Sequence, residues 1–257
     1  MDPQGVRHRA EEVQDHPRQR LHRRPAGKTY SVPKPDGVTI PRTNDELPPG
    51  NVRTIRERIA RQRLLPAGFI KAADATYVRR QDERVHLIYF KALDQKISVH
   101  FGFHFTFIPP LSAAKPIPLN EFRQLECAGE SWIGSFISDQ DGFRYGHDPV
   151  ALEATLTSAC NLAVALLDRF AREWADLSAV LALIDADPPP RQWHLRDREI
   201  VAACILKRLG RADEGNARMQ AWQATWPNSW HINKLMSALE TGNVDDWVLP
   251  PTTPAAE

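Results

Sequence analysis

The stretch VHLIYFKALDQKISVHFGFHFTFIP, residues Val85–Pro109, has the strongest alternation of apolar and polar side chains in the chain. From Phe101 to Phe107 every other residue is phenylalanine, and the residues between them are glycine, histidine or threonine. Successive side chains of a β-strand point to opposite faces, so this alternation predicts a strand with one aromatic face and one polar or small face. The first half is also apolar, and the polar residues Asp94-Gln95-Lys96 separate the two halves. The stretch therefore predicts a β-hairpin.

The pairing of the two strands follows if their apolar side chains share one buried face. We place Val85, Leu87 and Tyr89 on the face of the phenylalanines. This placement requires a three-residue turn and sets Tyr89 opposite Phe101. On the other face it sets His86 opposite His104, Ile88 opposite Gly102 and Phe90 opposite His100.

The polar face of this hairpin is the candidate site for chemistry. Opposed residues of neighbouring strands have Cβ atoms about 5 Å apart, so two facing imidazoles could exchange a proton in acid–base catalysis. With a third ligand such as Cys127 or His147 they could instead hold a metal ion. We take His86, His100 and His104 as candidate catalytic residues. Histidines that each make a single hydrogen bond and have no chemical role are the alternative.

A candidate ligand-binding groove lies on the same predicted face. Glycine within a strand often marks the close approach of a ligand or of another chain segment. We therefore take Ile88, Phe90 and Gly102 as candidate groove residues. A helix that crosses tightly over Gly102 is the alternative.

Tryptophans near the C-terminus are a candidate surface for a protein partner. The group comprises Trp222, Trp226, Trp230 and Trp247. At helical spacing, however, Trp222 and Trp226 are expected in the core.

The segments around the hairpin predict an α+β fold. The segments Ala75–Arg80, Trp132–Ile137 and Phe143–Tyr145 are predicted as further short strands. Asp148 followed by Pro149 is typical of a helix start, and apolar residues at steps of three and four continue well beyond it. Shorter helices are expected over residues 177–186, 196–209, 213–226 and 229–240. We predict an antiparallel sheet of about four or five strands packed on helices, followed by a small helical extension.

Composition divides the chain into four parts. Hydrophobic residues make up 42% of the 257 residues and charged residues 25%, as in globular proteins that bury a core. Residues 1–50 are rich in proline and arginine and poor in large apolar side chains, which predicts a disordered arm. Residues 51–186 form the α+β domain, 187–247 the helical extension and 248–257 a loose tail.

The three cysteines are far apart in the sequence, which favours reduced, buried thiols.

The first part of the chain carries a positive charge that the rest does not. Residues 1–63 hold 14 Lys and Arg against 8 Asp and Glu, whereas the whole chain has a net charge of +1. A basic arm followed by a helix with exposed arginines is typical of proteins that bind nucleic acid phosphates. A solvated tail and a solvated helix face are the alternative. The candidate nucleic-acid-binding residues are Arg18, Arg20, Arg23, Arg24, Arg56 and Arg63.

Short sequence patterns run through about residues 52–185. They are Leu65-Pro66-Ala67-Gly68-Phe69, Tyr77-Val78-Arg79, Val85–Lys91, Ile97–Gly102, Leu125-Glu126-Cys127 and Ile133-Gly134. Together they resemble a bacterial family known as domain of unknown function 4304. Tyr77 stands where phenylalanine is expected, and Lys91 lacks the glutamine expected just before it. The resemblance implies an α+β fold in a bacterial protein and implies no activity, because the family has none assigned.

These features favour a binding protein over an enzyme. The sequence has no Walker loop and no H-E-x-x-H, G-x-S-x-G or C-x-x-C motif, and we predict neither a cofactor nor a metal. The first hypothesis is a non-catalytic interaction protein that binds a protein partner or small ligand through the sheet or the helical extension. The second is an acid–base or metal-dependent enzyme that uses the hairpin histidines. The third is a nucleic-acid-associated protein that uses the basic arm.

The expected location is the cytoplasm. No apolar run reaches the roughly 18 residues that a membrane-spanning helix needs, and no signal peptide is visible. We therefore expect no contact with a membrane.

Overall fold

The computed structural model describes residues 49–93, 96–137, 143–144, 148–187, 193–241 and 246–252. The helices are α1 (Pro49–Ile59), which continues into a π-helical turn (Ala60–Leu64), α2 (Gly134–Ile137), α3 (Pro149–Glu173), α4 (Leu177–Asp185), α5 (Arg198–Arg208), α6 (Ala212–Thr225) and α7 (Trp230–Thr241). The strands are β1 (Ile70–Ala73), β2 (Thr76–Gln81), β3 (Arg84–Leu93), β4 (Lys96–Phe105), β5 (Ile117–Pro118), β6 (Gly129–Trp132), β7 (Phe143–Arg144), β8 (His194–Leu195) and β9 (Val248–Leu249).

The strands of the main sheet are antiparallel, in the order β1-β2-β3-β4-β6-β8, and the short β7 pairs with β4. β5 and β9 form a separate parallel pair. This architecture confirms the α+β class, with more strands than the four or five expected. The segment Trp132–Ile137, predicted as a strand, instead ends β6 and then forms α2.

The register of the β3–β4 hairpin differs from the prediction by one residue. The observed pairs include Val85 with His104, Leu87 with Gly102, Tyr89 with His100 and Leu93 with Lys96. The predicted three-residue turn and the pairing of Tyr89 with Phe101 are therefore wrong. A slip of one residue exchanges the faces of a whole strand, because its side chains alternate. Ile88 and Phe90, not Leu87 and Tyr89, share a face with the phenylalanines.

Both faces of the sheet are buried, and this explains the wrong register. On the phenylalanine face, the strands pack with α1, α3 and the later helices in one continuous core. On the other face, Val85, Leu87 and Tyr89 pack with Phe122 and Val248. A strand that is apolar on both sides has no polar face to define its register, so the sequence of β3 is compatible with either pairing.

The helical extension shares its core with the sheet. Ile205 of α5, Met219 of α6 and Leu235 of α7 belong to the same buried cluster as Phe101 of β4. Val248, at the start of the segment predicted as a tail, is buried and pairs with Ile117 in β5. The surface of the extension is therefore held in place by a continuous core.

Helix α3 packs on the phenylalanine face and begins as predicted. The carboxylate of Asp148 accepts a hydrogen bond from the backbone N–H of Val150 at 2.8 Å, and Pro149 occupies the first turn. Among the described residues, α3 alone is long and apolar enough to cross a membrane by length and composition. Core helices of soluble proteins pass the same test, and α3 buries Leu156 and Phe170 in the core.

Candidate functional site

The histidines predicted to lie together are separated in the structure. His86 pairs with Phe103 on the phenylalanine face, whereas His100 and His104 lie on the opposite face. The predicted contact between His86 and His104 is wrong because the register is shifted by one residue. Within the described ranges, no three or more His, Cys, Asp or Glu side chains are grouped to hold a metal ion; His147 lies outside these ranges.

His86 is buried and orients Arg79. The guanidinium of Arg79 donates to Nδ1 of His86 at 2.9 Å and forms an ion pair with Asp168 at 2.5 Å. Burial, together with the positive charge of Arg79, lowers the pKa of His86 to about 3. The imidazole is therefore neutral near pH 7 and acts as a hydrogen-bond acceptor.

His100 belongs to a chain of polar contacts that links three strands. Its ring stacks on Tyr89 with centroids 4.8 Å apart, and its Nε2 lies 2.8 Å from the hydroxyl of Ser98. The hydroxyl of Tyr89 donates to Glu130 at 3.0 Å, and Glu130 also accepts from Arg196 at 2.8 Å. Burial lowers the pKa of His100 to about 4. These contacts hold β3, β4 and β6 together.

His104 is a core residue. It has no exposed surface, and its ring packs on Phe122 with centroids 5.2 Å apart. Nε2 donates to the carbonyl oxygen of Ile108 at 2.9 Å, while Nδ1 has no partner within the described residues. Burial lowers the pKa of His104 to about 4. A side chain enclosed in this way does not contact a substrate.

Burial of His104 makes the stability of the fold depend on pH. Its folded-state pKa is about 4, against 6.5 in the unfolded chain. The unfolded state binds more protons between these values, so stabilisation that is present above pH 6.5 is lost as the pH falls toward 4. We expect this residue to account for a loss of about 2 kcal/mol in the free energy of unfolding between pH 7 and pH 5.

Denaturant unfolding at the two pH values measures this loss. In His104→Asn it should be smaller than in the wild type by about 2 kcal/mol. His194→Asn removes an exposed imidazole and should lose as much stability as the wild type. An unchanged loss in His104→Asn would mean that burial does not keep His104 neutral.

The candidate groove residues do not share a face. Ile88 and Phe90 are buried in the larger core, whereas Gly102 faces the other side of the sheet. A Cβ atom on Gly102 would lie 2.9 Å from the carbonyl oxygen of Gly129 and 3.2 Å from Sγ of Cys127. Gly102 therefore marks the close approach of another chain segment. That segment is the residues leading into β6, not a crossing helix or a ligand.

The cysteines are free and buried, as expected. They are Cys127, Cys160 and Cys204. Burial raises the pKa of each thiol, so the protonated form dominates near pH 7.

The arginines predicted to bind nucleic acid are only partly within the described residues. Arg18, Arg20, Arg23 and Arg24 lie outside them. The side chain of Arg56 is 11% exposed and forms an ion pair with Asp74 at 2.9 Å, so its guanidinium is used within the fold. Arg63 is exposed at the end of the π-helical turn.

A cavity of about 380 Å³ lies where β8 and the starts of α5 and α7 meet. Its lining residues are Leu111, Ser112, Leu125, His194, Leu195, Arg196, Asp197 and His231. Nε2 of His231 lies 2.9 Å from the carboxylate of Asp197, and Arg196 forms an ion pair with Glu130 at 2.8 Å. The contact of His231 with Asp197 joins α7 to the start of α5, and the ion pair of Arg196 with Glu130 joins the residue after β8 to β6. The cavity is therefore preformed.

Trp230 precedes His231, a lining residue, at the start of α7. Its side chain is 73% exposed. Nζ of Lys234 lies 5.1 Å from the Trp230 ring and donates to the carbonyl oxygen of Ser112 at 3.1 Å, which connects Trp230 to the lining. Leu125, a lining residue, is 52% exposed. We call the cavity together with Trp230 and Lys234 the Trp230 cleft.

The C-terminal tryptophans do not form one patch. Trp226 and Trp230 are exposed, whereas Trp222 is half-buried against the core and Trp247 is buried. The expectation that Trp226 lies in the core is wrong because this residue follows the last residue of α6. The tryptophan spacing carried no information about the cavity.

Comparisons with protein-family models, with curated proteins and with solved structures found no match to this chain. The resemblance to the domain of unknown function 4304 family therefore stays a prediction. Function has to be inferred from the geometry of the clefts and from the charges that line them.

Proposed function

We propose that the chain is a non-catalytic binding protein of the bacterial cytoplasm, and that its partner is a protein segment that docks in the Trp230 cleft. The observation that carries this proposal is the exposed ring of Trp230 beside a preformed cavity. An exposed aromatic side chain next to a concave site is typical of protein interfaces, in which a few buried aromatic residues contribute most of the binding free energy.

The charges around the cleft define the chemistry of the partner. The carboxylates of Glu126, Glu130 and Asp197 each accept hydrogen bonds or form ion pairs within the protein. The ammonium group of Lys234 has further N–H donors besides the one that bonds to the carbonyl oxygen of Ser112. The side chain of His194 is exposed. A segment with a large apolar side chain for the cavity and a neighbouring carboxylate for Lys234 complements this surface.

The two other hypotheses draw less support from the geometry. His86 and His104 are buried, His100 is half-buried, and His86 lies on the opposite face of the sheet from the other two, so an enzyme based on them is not proposed. Nucleic-acid binding through the arm stays a prediction, because residues 1–48 lie outside the described ranges.

Trp230→Ala should weaken partner recognition without unfolding the protein, because Trp230 is 73% exposed. Peptides selected from a random library on the wild-type protein should converge on a large apolar residue flanked by Asp or Glu. We expect Trp230→Ala to weaken binding of such a peptide at least tenfold, since a central aromatic residue contributes more than about 1.4 kcal/mol. Isothermal titration calorimetry measures the dissociation constants.

Val150→Ala is the matched control. Val150 is 72% exposed at the start of α3, so its truncation also removes an exposed apolar side chain. This variant should bind the peptide as the wild type does, and Lys234→Gln should reduce the preference for acidic peptides. Equal affinity of Trp230→Ala and wild type, or selected peptides without acidic residues, would overturn the proposal.

A further inference from the structure

A second cleft, of about 800 Å³, lies between the β2–β3 hairpin and the C-terminal half of α3. Its charged lining residues are Arg79, Arg80, Asp82, Arg84, Asp168 and Arg172. We call it the arginine cleft. The guanidinium of Arg80 lies on the other face of the sheet, where it donates to Val248. The guanidinium groups of Arg79, Arg84 and Arg172 outnumber the two carboxylates of the lining, which leaves one excess positive charge. A concave surface with this charge concentrates anions.

Arg79 is fixed in this cleft by its neighbours. Its guanidinium lies 4.7 Å from the centre of the Phe69 ring and donates to the carbonyl oxygen of Ala67 at 3.1 Å. It also donates hydrogen bonds to Asp168 and to His86. Because His86 is neutral, it adds no charge of its own to the cleft. A guanidinium held on several sides loses little conformational freedom when an anion binds.

Arg84 and Arg172 carry positive charges that no ion pair neutralises within the described part of the chain. The guanidinium of Arg80 forms an ion pair with Asp246 at 2.6 Å and donates to the carbonyl oxygen of Val248 at 2.6 Å. Within the described part of the chain, no carboxylate forms an ion pair with Arg84 or Arg172. These two arginines belong to β3 and α3, the two elements between which the cleft lies.

We propose that the arginine cleft binds a phosphate group, either as inorganic phosphate or as a small phosphomonoester. The planar guanidinium fork matches the oxygens of a phosphate in bidentate geometry. Arg84 and Arg172 donate to it from β3 and α3, and the fixed Arg79 adds to the field that holds it. The cavity volume falls within the range of about 300–1,000 Å³ that is usual for small-molecule sites, which leaves room for the group that carries the phosphate.

Thermal unfolding in the presence of defined anions tests this assignment. The probes are sodium phosphate, phenyl phosphate and a single-stranded DNA of about 12 nucleotides, with NaCl added to keep the ionic strength constant. For the wild type we expect a saturable rise in Tm of about 3–6 °C at ten times the dissociation constant of phosphate or phenyl phosphate. A larger rise with phenyl phosphate identifies a phosphomonoester as the ligand, and an equal rise identifies phosphate alone.

The matched variants separate this site from general charge effects. Arg84→Gln with Arg172→Gln removes the two unused charges and should reduce the rise to below about 1 °C. Arg61→Gln with Arg63→Gln removes two exposed charges from the π-helical turn and should respond as the wild type does. An equal rise in the Arg84/Arg172 variant, no rise in the wild type, or a rise with the oligonucleotide alone would overturn the proposal. The site is separate from the Trp230 cleft, so either proposal can fail without the other.

Discussion

We expect Phe103→Ala to lower the free energy of unfolding by about 4 kcal/mol. Phe103 is 2% exposed, and its ring centroid lies 4.3 Å from that of Trp174 and 5.2 Å from that of Trp193. The substitution removes the transfer free energy of the ring and leaves a cavity. Because the neighbouring aromatic rings also pack on Phe170, they cannot close that cavity without losing other contacts. Urea unfolding at equilibrium measures the loss.

Phe107→Ala is the control for this experiment. Phe107 follows β4 and is half-buried, with its ring 5.3 Å from that of Phe105. Truncation of a half-buried ring should lower stability by less than about 2 kcal/mol. Losses of similar size at Phe103 and Phe107 would contradict the position of Phe103 in the centre of the core.

Gly102→Ala is expected to lower the free energy of unfolding by about 3 kcal/mol. The added methyl group would lie 2.9 Å from the backbone oxygen of Gly129 and 3.2 Å from Sγ of Cys127. A backbone oxygen within a paired strand cannot move aside as a side chain can, so β4 and β6 must separate locally. Chemical unfolding of the variant measures the loss.

Gly210→Ala separates this steric effect from the general effect of replacing a glycine. A Cβ atom at Gly210 has no neighbour within 4 Å, and the backbone there has a φ of +79°. Its replacement should lower stability by about 1 kcal/mol, through the left-handed backbone conformation alone. A loss at Gly102 no larger than that at Gly210 would mean that Gly102 faces open space, as the predicted groove requires.

The sequence predicted the hairpin and the helices but not the register. Alternation in Phe101–Phe107 and the Asp148-Pro149 helix start are local signals, and the structure confirms the elements that they predict. The register depends on which face of β3 is buried. That information lies in Phe122 and Val248, distant residues that cover the second face. No pattern within the hairpin reports their position.

The sequence did not predict most residues of the two candidate sites, for a related reason. The Trp230 cleft combines Leu111, Leu125, His194 and His231, residues from four segments that only the folded chain brings together. Trp230 is the member of this candidate site that belongs to the predicted tryptophan group. The arginine cleft has a local signal in Arg79, Arg80 and Arg84, but the approach of Arg172 from α3 follows from packing alone.

We propose that recognition takes place in the Trp230 cleft and not at the hairpin histidines. Its most direct test is a titration of ¹⁵N-labelled protein with an acetylated peptide in which one leucine is flanked by aspartates, followed by ¹H–¹⁵N spectra. We expect saturable shifts of the amide signals of Ser112, Leu125 and His231 in the wild type and none in Trp230→Ala. Shifts centred on His100 or on Arg84, or no shifts in the wild type, would contradict this proposal.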